Sequence, residues 1–191
     1  MGKYKCLNTY KYEKGEYTLI TLREQDIYKI KDWRNAQIDI LRQKELLTDE
    51  TQKKYFDEVI KPSFLEKNPK QILFSYLYKN KCIGYGGFVH ISWMDKRAEI
   101  SFLVDNNRAE NEKIYQQDFL NYMELIKEIA FLYIGFNRIF TETYDFRKKH
   151  IESLELSGFI PEGRIKQHII IDNKYIDSVF HVFNKQDYNE K

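Results

Sequence analysis

TETYDFRKKHIESLELSGFIPEGRIKQHIIIDNKYIDSVFHVF, residues Thr141–Phe183, decides the fold. Its first residues close a branched and aromatic run, Arg138–Thr143, that reads as a strand. Arg147–Leu156 follows as an amphipathic helix. Gly158 supplies the left-handed residue that ends it. Ile165–Ile171 and Tyr175–Phe183 are two further strands, joined by the turn Asp172-Asn173-Lys174.

Upstream, Glu112–Leu132 repeats Ile114, Phe119, Tyr122, Ile126 and Ile129 at helical spacing. Ile72–Tyr78, Cys82–Ile91 and Ala98–Val104 are strand-like, with Lys79-Asn80-Lys81 as a turn and Gly84, Gly86 and Gly87 inside the second run. They form an antiparallel meander. Tyr17–Leu22 is a short strand. Thr21 then caps a helix, with Glu24 as capping-box partner, that places Ile27, Ile30 and Trp33 on one face. Gln37–Leu47 is a loop or short helix. Thr48 caps a second helix, ending near Pro62. Met1–Gly15 reads as an N-terminal extension or edge hairpin. The passage from Ala98–Val104 through the long helix to Arg138–Thr143 predicts a right-handed crossover between parallel strands. These strands should splay where a ligand enters. The fold expected is α/β, a mixed, partly parallel sheet flanked by helices, in one domain over residues 1–191.

The 191 residues are 42% hydrophobic and 31% charged, enough to bury a core, and the net charge is +2. Acids and bases interleave without a basic stripe, which speaks against nucleic acid as a partner. Cys6 and Cys82 have no metal-ligand spacing, so no metal is expected and a reduced, cytoplasmic setting is the simplest inference. No run is apolar or long enough to span a membrane, and none is expected as a partner.

Several strings occur in an order that resembles the GNAT superfamily of acyl-coenzyme A-dependent N-acetyltransferases. They are Trp33-Arg34-Asn35, Cys82-Ile83-Gly84-Tyr85-Gly86-Gly87, Ala98-Glu99-Ile100-Ser101-Phe102-Leu103-Val104, Ser157-Gly158-Phe159 with Glu162-Gly163, and Tyr175-Ile176-Asp177. The first is similar to a string of the sugar- and ribosomal-protein-modifying branches. The resemblance implies acetyl-CoA as cofactor, with its pantetheine arm along Phe102, Leu103 and Val104. It implies phosphate contacts at the start of the long helix, where Arg108, Lys113 and Gln116 stand, and a cofactor contact at Arg147. Two departures are visible. The expected glycine-rich phosphate loop is replaced by the glycine-free Asn107–Asp118, and the slots of a cofactor-binding Asn and a thiolate-protonating Tyr hold Arg147 and Leu154.

Acetyl transfer from a thioester to an amine needs a proton acceptor, a polarised carbonyl and a stabilised thiolate. Glu99 is the candidate base, alternating with Ser101 on one face; the competing reading pairs it with Arg97 on the surface. His168 is a second candidate, or a satisfied strand histidine. Tyr144, after the Thr141–Thr143 strand, is the candidate acid. His150 faces the cofactor helix or solvent, while His90 and His181 pack in strands. Trp33, Arg34, Asn35 and Arg42 are candidates for the acceptor pocket, the two arginines suiting an anionic acceptor. The function expected is acetyl transfer to a small primary amine, an amino sugar on a nucleotide carrier. Alternatives are a protein N-terminus as acceptor, favoured by an acidic pocket, or a non-acetylating binding module. Exposed aromatics permit a homodimer without demanding one.

Overall fold

The computed structural model describes residues 2–189. Strands β1 (Lys11–Lys14) and β2 (Tyr17–Thr21) form a hairpin at one edge of the sheet. The expected meander follows as β3 (Ile72–Tyr78), β4 (Lys81–Ser92) and β5 (Arg97–Val104). Beyond it lie β6 (Arg138–Tyr144), β7 (Ile160–Ile171) and β8 (Lys174–Asn184). All eight share one sheet in the order β1-β2-β3-β4-β5-β6-β8-β7. Only β5 and β6 pair in parallel; the other neighbours are antiparallel. Two hairpins turn through left-handed pairs, Lys79 and Asn80 (φ 48 and 64°) and Asp172 and Asn173 (φ 48 and 59°). A two-residue turn needs that conformation to match the strand twist.

The helices are α1 (Ile27–Ala36), α2 (Asp49–Tyr55), α3 (Lys61–Ser63), α4 (Asn106–Glu110), α5 (Glu112–Glu128), α6 (Lys148–Leu156) and α7 (Lys185–Asn189). The cap expected at Thr48 is present in reciprocal form: Thr48 Oγ1 accepts from Thr51 N at 3.2 Å, and Thr51 Oγ1 accepts from Thr48 N at 2.9 Å. The cap expected at Thr21 is absent. This residue stays in β2 opposite Phe74, its hydroxyl donates to Gly2 O at 2.6 Å, and α1 is entered through a 3₁₀ turn at Glu24–Asp26. Strand pairing by a β-branched residue outcompetes the local cap.

One core joins both ends of the sheet to α5 and α6, with Phe74, Phe88, Phe119, Tyr122, Ile126, Phe131, Leu154, Phe159 and Phe183 each at most 2% exposed. Buried tyrosines mostly keep hydroxyl partners, as a low dielectric demands. Tyr76 donates to Asp118 O at 2.8 Å, Tyr17 to Asp118 Oδ1 at 2.9 Å and Tyr122 to Ser101 O at 2.6 Å. This last bond crosses over Gly86, where a Cβ would collide with the Ser101 carbonyl and the Tyr122 hydroxyl. Gly87 has φ +149°, and a Cβ there would strike Ile72 O.

Candidate active site

The parallel pairing of β5 with β6 covers Arg97↔Arg138, Ala98↔Ile139 and Glu99↔Phe140, and then stops. β5 runs on to Val104 and β6 to Tyr144 without pairing to each other. A cleft of about 190 Å³ opens between them, lined by Glu99, Phe102, Thr141, Tyr144, Arg147 and His150 among others. Thr141 is 5% exposed and its Oγ1, on the cleft wall, has no hydrogen-bond partner in the fold. A buried hydroxyl without a partner is costly unless a ligand supplies one. A strand edge without a neighbouring strand and an unsatisfied hydroxyl together suit an amide-bearing, extended group such as a pantetheine arm.

At the branch point sits a chain of charges. Arg42 Nη2 donates to Glu99 Oε1 at 2.8 Å and to Glu142 Oε2 at 2.7 Å. His90 Nδ1 lies 2.7 Å from Glu99 Oε2, and His168 Nδ1 lies 3.1 Å from Glu142 Oε1 and 3.0 Å from Ser178 Oγ. Carboxylates accept only, so His90 is the donor to Glu99. Glu99 is 9% exposed and faces the cleft, whereas the His90 side chain is 65% exposed and reaches solvent. Glu99 therefore pairs with Arg42 and His90 rather than with Arg97, whose partner is Asp95. His90 does not pack in its strand as the sequence suggested. It has φ 47° and lies beside the break in β4–β5 register after Val89, which turns it toward Glu99.

Tyr144 also lines the cleft and is 7% exposed. Burial holds its phenol above the usual range, with Arg42 and Arg147 pulling the other way, so it stays protonated and able to donate. Leu154, in the slot of the thiolate-protonating tyrosine, is fully buried in the core. Nearby, the Tyr115 hydroxyl lies 2.6 Å from His150 Nδ1. Burial pushes the Tyr115 phenol up to about 12, and burial, then Arg147 and His181, holds His150 well below its ordinary 6.5. The imidazole is neutral, and the direction of its bond with Tyr115 is set by which ring nitrogen holds the proton.

A second cavity of about 430 Å³ adjoins the cleft through Arg147 and His150, which line both. Gln116, Lys148, Lys149, Glu110 and Glu112 also line it. Lys149 is tied to Glu112 at 2.6 Å, while Arg147 and Lys148 have no carboxylate partner among the described residues. These two cations at the start of α6 suit the phosphate end of acetyl-CoA. Two residues expected there are elsewhere. Arg108 is gripped by Asp118 (Nε to Oδ2 2.6 Å, Nη2 to Oδ1 2.8 Å) and lies over the Tyr78 ring, lining neither cavity. Lys113 is exposed and also lines neither. The cause is α4, a five-residue helix capped by Asp105, which fills the place of the glycine-rich loop and carries Arg108 toward Asp118.

Phe102 lines the cleft, whereas the Leu103 and Val104 side chains are buried away from it and only their strand runs along its edge. Arg34 and Arg42 line the cleft. Trp33 packs in the core, 8% exposed. Asn35 accepts from Leu47 N and Gln43 Nε2 and donates to Leu47 O, so it ties down the 37–47 loop and lines none of the cavities described. Glu142 and Thr141 were not singled out from the sequence. Their role depends on where β6 stands relative to β5. His150 carried a usable signal: it follows Arg147 by three residues and precedes Leu154 by four, which puts it on one helix face with both.

The family model "Acetyltransferase (GNAT) domain" matches residues 19–180. The chain belongs to the GNAT acetyltransferase family. It is an acetyl-CoA-dependent N-acetyltransferase with the mixed, partly parallel sheet of that family. Spermidine N-acetyltransferase from Vibrio cholerae, solved with CoA and spermine, superposes with a TM-score of 0.78 at 14% identity, covering 92% of this chain and 99% of that one. The spermidine/spermine N-acetyltransferase of the same organism, solved with manganese ions, gives 0.73 at 15% identity, covering 92% and 96%. At such identities the likeness is one of fold. A search of curated proteins finds no match. Among the described residues no helix of this GNAT protein is long and apolar enough to cross a membrane, and no cluster of ligands could hold a metal ion.

Proposed function

We propose that the GNAT protein acetylates a small primary amine that enters the cleft from the side of Arg34 and Arg42, with Glu99 as the proton acceptor. The observation that carries this reading is the place of Glu99: it is the last residue paired to β6, at the apex of the cleft, with its carboxylate linked through His90 to solvent. The amine proton passes to the Glu99 carboxylate, directly or through water, while His90 orients that carboxylate by donating to Oε2. Acetyl-CoA supplies the activated acyl carbon and a thiolate leaving group. Phe102, Thr141, Arg147 and Lys148 are the residues placed to hold it. Tyr144 is the donor that would protonate a leaving thiolate.

The acceptor differs from a nucleotide-linked amino sugar in one respect. Of the two arginines expected to grip a diphosphate, Arg42 is committed to Glu99 and Glu142, and only Arg34 is left. The site therefore favours a smaller acceptor. The polyamine acetyltransferases that share the fold make a polyamine the first comparison.

The test is thiol release from acetyl-CoA over a panel of primary amines, with Glu99→Gln, Tyr144→Phe and His168→Ala alongside the parent. Glu99→Gln is expected to lower kcat/KM by about a hundredfold or more while the acetyl-CoA Kd is unchanged. Full activity in that variant would remove Glu99 from the reaction.

A further inference from the structure

Among the described residues, every arginine but two is paired with a carboxylate: Arg23 with Asp26, Arg42 with Glu99 and Glu142, Arg97 with Asp95, Arg108 with Asp118, Arg138 with Glu162, Arg164 with Asp145 and Asp177. The exceptions are Arg34 and Arg147, and both line the cleft. Arg147 also lines the cavity on the cofactor side. Arg34 instead lines a third cavity, of about 310 Å³, with Thr51, Gln52, Tyr55 and Tyr85. No carboxylate lines that cavity.

Arg34 is held in place, but by neutral groups. Its Nε donates to Gln43 Oε1 at 2.9 Å and its Nη1 donates to the Tyr85 hydroxyl. Those bonds fix the plane of the guanidinium and leave its charge uncompensated and Nη2 without a partner. A half-buried, pre-oriented guanidinium with free donors is a site for an oxyanion. Its distance from the proton acceptor follows from the strand. Tyr85, Gly87 and Val89 share one face of β4, and Val89 stands opposite Glu99. Four residues of strand span on the order of 13 Å, and the Arg34 and Glu99 side chains each take up part of that. Gly87 and Ser101, paired and small, stand between them on the sheet, and Arg34 and Glu99 line one and the same cleft.

We infer that the acceptor is a primary amine carrying an oxyanion, a carboxylate or a phosphate monoester, several bonds from its nitrogen, and that Arg34 binds that oxyanion. The inference rests on the amine-acetylation reading above and narrows it. It also sets the protein apart from an enzyme for polycations: a second ammonium group would meet a guanidinium and a cavity without acids.

The experiment is steady-state acetyl transfer to 6-aminohexanoate and glucosamine 6-phosphate, each against its counterpart without the anion, hexylamine and glucosamine, with spermidine as the polycation. In the parent protein at least one anionic amine is expected to exceed its counterpart in kcat/KM by about tenfold or more, the range of a charge-assisted contact. Which of the two does so tells carboxylate from phosphate. Arg34→Gln should erase the preference through a raised KM for the anionic amine, with the acetyl-CoA Kd unchanged. Tyr85→Phe, which frees the guanidinium from its hydroxyl, should weaken it in part. Because the comparison within the parent protein needs no variant, it stands even where a variant fails to fold. Equal KM for charged and uncharged partners, preference for spermidine, or a raised acetyl-CoA Kd in Arg34→Gln would each overturn the inference while leaving acetyl transfer intact. Absence of thiol release with every amine would remove the transferase reading itself, and this inference with it.

Discussion

Arg108 has the charge and the position before the long helix that suit a phosphate contact. Its fate was decided by Asp118, ten residues on, which is fully buried and accepts both ends of the guanidinium while also receiving the Tyr17 hydroxyl. A buried carboxylate leaves a cation little freedom to go elsewhere, because breaking the pair strands a charge. Asp118→Ala is therefore expected to cost about 3 kcal/mol of stability in a denaturant titration. Arg108→Ala should lower stability too, yet leave the acetyl-CoA Kd within about twofold, since the guanidinium lines neither cavity. His150 yields a pH dependence with a definite sign. Its folded pKa is depressed, so its unfolded form binds protons first as the pH falls. Stability is complete above the ordinary value of 6.5 and declines below it. In His150→Gln, melting temperatures should fall less steeply between about pH 6.5 and pH 5 than in the parent, and an unchanged slope would reassign that acid sensitivity. Glu99, Arg34 and Arg42 were legible from local strings and residue type. Glu142 and the exposure of His90 were not, because both depend on register between strands far apart in the chain.

Elements were read well where one period ran undisturbed. β3, β5, β6 and the body of α5 match their expected spans closely, whereas α1 begins only at Ile27, after the 3₁₀ turn, rather than directly behind Thr21. β7 begins at Ile160 rather than Ile165, since register shifts between Pro161 and Gly163 and again between Ile165 and Ile169 break the alternation a strand is recognised by. α4 was not foreseen at all; five residues carry too little periodicity to announce a helix, and an Asp cap is shared with many turns. The glycines of β4 were noticed as a family string, and the structure gives their physical reason. Gly87→Ala would combine an unfavourable φ with a collision against the Ile72 carbonyl. It is expected to cost more than about 2 kcal/mol in thermal or chemical melts. Gly163→Ala, whose Cβ meets nothing within 4 Å, serves as the control and should stay within about 0.5 kcal/mol of the parent.

At the level of the whole molecule, the order of elements was enough to place the parallel junction and its opening, because a crossover through one long helix leaves few topologies. The width of the opening was not readable. It depends on α5, which packs against β1 and β2 of the first half and against α6, the helix that follows β6. Filling the opening should be visible as protection. With acetyl-CoA present, amide exchange across residues 100–104 and 141–144 is expected to slow more than in β3, which is laddered on both sides. Equal slowing everywhere would mean that the cofactor acts on global stability alone.

Just three residue pairs stitch β1–β5 to β6–β8. In mechanical terms this is a seam left mostly unsewn. Each half is knitted tightly along its own antiparallel ladders, and load applied across the sheet concentrates on those few stitches. Glu99, the proton acceptor proposed above, stands at the last of them, so any yielding of the seam moves it first, and on that proposal the tolerance of the chemistry is set by the weakest join in the fabric.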